Sequence, residues 1–113
     1  MNATSDGLIP QETIDRAART LLEAAPAGSE VILFGSYARG DAGIHSDLDF
    51  LVIEPVMNGK HDEMVRLREV LRPLCVPADV LVTSREVYEA WKHGVNSMIA
   101  RAHREGKRYA AGA

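Results

Sequence analysis

The sequence predicts an α/β protein, a small β-sheet packed by helices, and three observations carry that prediction. Apolar runs at Val31-Ile32-Leu33-Phe34, from Leu48 to Ile53 and from Val76 to Val82 read as strands. Stretches whose apolar residues recur at helical spacing lie before, between and after them. Proline and glycine punctuate the joints, and strands alternating with helices point to a layered α/β structure.

Taken in order, a first helix starts at about Pro10, a good first helical residue, with Ile14, Ala17, Ala18, Leu21 and Leu22 on its apolar face. Pro26-Ala27-Gly28-Ser29 ends it. Val31 to Phe34 is apolar without a break, the pattern of a strand covered on both sides. Gly35-Ser36 then opens a turn or two of helix through Arg39, since serine can cap amides and glycine lets backbone approach closely. A strand running into a helix start offers N–H groups to an anion. The glycine-rich loop from Gly40 to Ser46 leads to the strand Leu48 to Ile53, which Glu54-Pro55 stops.

Asn58-Gly59 is a turn before a second amphipathic helix marked by Met64, Leu67, Val70 and Leu71, stopped near Pro73. Its other face, with Asp62, Glu63, Arg66, Arg68, Glu69 and Arg72, reads as solvated. Val76 to Val82 places a carboxylate, Asp79, near the start of a third strand. Ser84 caps a helix holding Val87, Tyr88 and Trp91, the two aromatics being expected in the core or an interface. Asn96 or Ser97 starts a last helix through Met98, Ile99 and Ala102, with Gly106 near its end.

At 113 residues the chain fits one domain, 1–113, with a single core. Its 46% hydrophobic and 26% charged residues are ordinary for a soluble globular protein, and no apolar run is long enough to span a membrane. Residues 1–7 lack the basic and apolar blocks of a signal peptide, so a cytoplasmic location is expected. The lone Cys75 has no cysteine partner and reads as a small buried hydrophobe. A net charge of −3 disfavours direct nucleic-acid binding, which rests on lysine and arginine neutralising phosphates. Arg101, His103, Arg104, Lys107 and Arg108 make the C-terminal end basic, as suits a solvated helix terminus.

The chemistry lies in the stretch from Gly35 to Asp49. Residues i and i+2 of a strand share a face, so Asp47 and Asp49 project side by side while Leu48 points into a core. Adjacent carboxylates repel, and a divalent cation is the usual resolution. If the strand carrying Asp79 is a neighbour, Asp47, Asp49 and Asp79 meet at one end of the sheet as magnesium ligands, with a substrate's phosphates resting on Gly35 and Ser36. Two magnesium ions would then serve an in-line displacement, Asp79 standing nearer the nucleophile and accepting its proton. Each residue also has a plainer reading: Asp47 as a turn cap, Asp79 as a strand-edge charge, Arg39 as a surface partner of Asp41. His61, His93 and His103 are scattered without metal-ligand spacing.

The pattern Gly35-Ser36-Tyr37-Ala38-Arg39-Gly40, then Ser46-Asp47-Leu48-Asp49, then Asp79 in a later strand resembles the DNA polymerase β superfamily of nucleotidyltransferases, specifically its minimal nucleotidyltransferases. The resemblance covers Val31 to Val82. It implies the polymerase-β-like fold with a small mixed sheet, and transfer of a nucleoside monophosphate from ATP or another nucleoside triphosphate to a hydroxyl, with magnesium as cofactor. By position it assigns the triphosphate to Gly35 and Ser36, the metals to Asp47, Asp49 and Asp79, and a phosphate contact or a loop-bracing role to Arg39. His45 and Tyr37 fall where the motif is variable. Minimal nucleotidyltransferases are commonly antitoxins of small helical HEPN ribonuclease toxins, which they can silence by adenylylation, so the resemblance implies a HEPN-type protein partner as acceptor, the alternative being an acceptor site shaped by a second subunit, as in a homo-oligomer. Two other readings stay open: a binding module that sequesters a helical toxin without chemistry, and a phosphoesterase using water as acceptor.

Overall fold

Strand β1 (Glu30–Phe34) sits inside the sheet, and its four apolar residues are all buried. Val31 and Leu33 enter the core under one sheet face, Ile32 and Phe34 the core under the other. Two-residue alternation gives that result when both faces are covered. The computed structural model describes residues 8–110; residues 1–7, read above for a signal peptide, lie outside it.

Strand β2 (Leu48–Glu54) pairs antiparallel with β1, and β3 (Ala78–Ser84) pairs parallel with β2. Strand β4 (Lys107–Ala110) pairs antiparallel with the other side of β1, giving the order β3-β2-β1-β4. The sheet is mixed and small, as expected. Helices α1 (Gln11–Ala24) and α3 (Lys60–Val70) cover one face, where Ile14, Ala17, Ala18, Leu21 and Leu67 pack on Leu48, Phe50, Val52 and Val80. Helices α4 (Arg85–Trp91) and α5 (Met98–Glu105) cover the other through Tyr88 and Ala102. The single turn α2 (Ser36–Arg39) follows β1 directly.

Both expected serine caps form. Ser84 Oγ accepts from Val87 N–H at 3.1 Å, and Ser97 Oγ from Ala100 N–H at 3.0 Å, satisfying amides that lack helical partners. Ser36, by contrast, is the first residue of α2, whose cap position is Gly35, and no side chain caps that turn.

Three expectations fail for physical reasons. Lys107 and Arg108 belong to an edge strand, where charge discourages further pairing, and not to a helix end. Cys75 is exposed, because it ends a 3₁₀ turn (Arg72–Leu74) at φ 54° and so leaves the surface pointing outward. Of the two aromatics expected in the core or an interface, Tyr88 is in the core while Trp91 is 55% exposed, since only Tyr88 faces the sheet from the short α4. The outer face of α3 is not wholly solvated: Arg66 binds Glu63 at 2.6 Å and the Ala24 carbonyl at 2.9 Å, above buried Glu54.

Candidate active site

Strand polarity assembles the site. The antiparallel pair sets Phe34, the last residue of β1, opposite Asp49, and the parallel pair sets Asp49 beside Asp79. The chain therefore leaves β1 at Gly35 where β2 and β3 both begin. Alternation turns Leu48, Phe50 and Val80 into the α1–α3 core, which leaves Asp49 and Asp79 on the α4–α5 side.

Gly35 is required twice over at that point. Its φ of 82° is disfavoured for residues with a side chain, and a Cβ there would collide with Asp49 Oδ2. The backbone of the Gly-Ser turn thus lies directly against the carboxylate.

Gly35, Ser36, Arg39, Asp49 and Asp79 line one side of a cleft of about 730 Å³. Burial pushes the Asp49 pKa up, and the negative charges of Asp79 and Asp47 push it further, against a smaller opposing pull from Arg39. Asp47 precedes β2 by one residue, is exposed, and acts on Asp49 through its charge without lining the cleft. Among the described residues no group of three or more His, Cys, Asp or Glu is gathered to hold a metal ion.

Arg39 is already engaged. Its Nε–H donates to Asp41 at 3.2 Å and its Nη1–H to Glu105 at 2.9 Å, so it ties the Gly-Ser turn to α5. Tyr37 supports the same turn from behind, its hydroxyl accepting from Ile9 N–H at 3.1 Å.

The far wall of the cleft was not anticipated. Asn96, Met98 and Arg101 line it, carried by α5 and the loop before it. The signal for it was the Ser97 cap, which fixes where α5 begins, together with the three-residue spacing that puts Met98 and Arg101 on one helical face.

The family model described as the nucleotidyltransferase domain matches residues 14–105. The chain belongs to that family. No curated protein sequence matches it. As a nucleotidyltransferase domain it is a transferase, and the matched span contains Gly35, Ser36, Asp47, Asp49 and Asp79 together with the α5 wall. The donor set suits the divalent cation that nucleotidyl transfer generally employs: magnesium binds through one or two carboxylates, keeps several waters, and takes further oxygens from the substrate's phosphates. Asp49 and Asp79 offer such a pair, and their mutual repulsion is what a cation relieves. No described helix is long and apolar enough to cross a membrane.

Proposed function

We propose that the chain is a magnesium-dependent nucleotidyltransferase that transfers AMP from ATP to a hydroxyl of a protein partner, of the small helical HEPN-toxin type. The observation that carries this reading is the register pairing of Asp49 with Asp79 beside the Gly35–Ser36 turn, in one cleft.

The acceptor oxygen attacks the α-phosphorus; a new O–P bond forms as the bond from that phosphorus to the α–β bridging oxygen breaks, and pyrophosphate leaves. The hydroxyl proton passes to the carboxylate of Asp79, on the outer strand of the three. The Gly35–Ser36 backbone receives the triphosphate, the missing side chain at Gly35 letting the turn lie directly beside the Asp49 carboxylate. Asp47, Asp49 and Asp79 would hold two magnesium ions. When bound, magnesium neutralises phosphate charge and lowers the pKa of the attacking hydroxyl. Arg39 braces the turn through Asp41 and Glu105.

ATP labelled on the α-phosphate, incubated with magnesium and a candidate helical partner, should label the partner with wild type and not with Asp47→Ala/Asp49→Ala. Hydrolysis to AMP without partner labelling would instead support phosphoesterase chemistry. A second reading, sequestration of the partner without chemistry, draws on the exposed Met98, which lines the cleft, and on the exposed Trp91 and Val95 that precede it in the chain. It predicts equal partner binding by wild type and the double variant and no labelling by either.

A further inference from the structure

The cleft holds two cationic side chains, Arg39 and Arg101, and they differ in a way that the sequence motif conceals. Arg39 spends its guanidinium on Asp41 and Glu105. Arg101 makes no ion pair with any described residue at 4.0 Å or less, yet it lines the same cleft as Asp49 and Asp79.

The helix that carries Arg101 is fixed at both ends. Ser97 caps its start, and Arg101 N–H itself bonds the Ser97 carbonyl at 3.1 Å. Glu105, one turn further along, is held by Arg39. At the far end Gly106 passes so close to β1 that a Cβ would collide with Ile32 and with the Ala102 carbonyl. Arg101 is therefore presented from a rigid element and not from a mobile tail. A cleft floored by Asp49 and Asp79 repels a polyphosphate, and a cation opposite them without an acid partner is the group that reverses this. A guanidinium suits the role because its planar fork meets phosphate oxygens in pairs.

We propose that Arg101 grips the polyphosphate tail of the nucleotide from the wall opposite the aspartates. This inference rests on the nucleotidyl-transfer reading, and equilibrium binding separates the two. ATP, pyrophosphate and AMP are titrated by calorimetry, in magnesium, into wild type, Arg101→Ala and Arg101→Lys, with circular dichroism confirming the fold of each. Arg101→Ala should bind ATP and pyrophosphate about tenfold more weakly or worse while its AMP affinity stays unchanged, and Arg101→Lys should recover part of the loss. Arg39→Ala should weaken ATP less than Arg101→Ala does, because Arg39 is already neutralised. If wild type binds ATP and Arg101→Ala binds it equally well, Arg101 is only a solvated helix cation and the inference is overturned. A parallel loss for AMP would overturn it too, placing Arg101 at the nucleoside. If wild type binds no nucleotide, both the inference and the reading beneath it fall.

Discussion

Asp49 and Asp79 are register partners on neighbouring parallel strands, so two carboxylates from residues thirty positions apart share one edge of the sheet. Burial, and after it the negative charges of Asp79 and Asp47, push the Asp49 pKa up. Charge that the fold tolerates at a cost is what a bound cation can use. In chelator, Asp49→Asn should melt no lower than wild type; magnesium should raise the Tm of wild type in proportion to the logarithm of its concentration above Kd and leave Asp49→Asn almost unmoved. Thermal scans across a magnesium series read both effects, and equal responses of the two proteins would remove Asp49 from the cation site.

Gly35 and Gly40 both have positive φ, yet they predict different outcomes. Alanine at Gly40 meets nothing within 4 Å, so it should cost only the backbone strain of about 1–2 kcal/mol. Alanine at Gly35 carries the same strain and also drives its Cβ into Asp49, so it should lose transferase activity as well. Denaturant melts and initial rates on the two variants check the contrast; a fully active Gly35→Ala would show that the turn and the carboxylate are not coupled.

Glu54 predicts a pH dependence. It is buried, its Oε2 has no hydrogen-bond partner, and burial together with neighbouring Glu63 pushes its pKa up to about 8. A carboxyl whose folded pKa exceeds its unfolded value of 4.5 favours the protonated form, so its contribution to stability is full below 4.5 and is lost as pH rises to about 8. Glu63 is shifted the other way, chiefly by its hydrogen bond to Arg66, and its contribution is already complete above 4.5. Glu54→Gln should therefore raise Tm by a few degrees at about pH 8 and much less at about pH 5. An equal shift at both would rule out the buried carboxyl as the cause.

On the opposite sheet face, Tyr88 is fully buried with its hydroxyl 2.6 Å from His103 Nδ1 and 2.6 Å from Arg108 Nη2. The Arg108 N–H donates to the phenol, and the phenol O–H donates to the ring nitrogen. Tyr88→Phe removes both bonds but leaves Arg108 Nη2 and His103 Nδ1 3.0 Å apart and paired with each other, so it should destabilise by about 0.5–1.5 kcal/mol in a denaturant melt. A change below about 0.5 kcal/mol would mean that water replaces the phenol, as happens at solvated sites.

Much of this was readable in the residues themselves. The unbroken run Val31 to Phe34 announced a strand covered on both faces, Ser84 and Ser97 marked helix starts, and alternation predicted that Leu48 would be buried with Asp49 outside that core. Local pattern could not supply long-range pairing. That Asp49 meets Asp79 in register depends on β3 docking parallel to β2, which no short window of sequence encodes. Strand β4 was missed because Lys107-Arg108-Tyr109-Ala110 lacks an apolar alternation, being an edge strand stabilised by its pairing with β1. Arg101 looked like one charge in a basic run until the helix carrying it was placed across the cleft.

The central claim is that the acidic cleft transfers a nucleotidyl group, and the direct measurement uses ATP labelled in turn on the α- and the γ-phosphate, with magnesium and a helical partner protein. Covalent label should reach the partner from the α position only, with one pyrophosphate released per label, and Asp49→Asn and Asp79→Asn should each cut the rate by about 10²-fold or more. Label arriving from the γ position, or equal labelling by wild type and both variants, would contradict it.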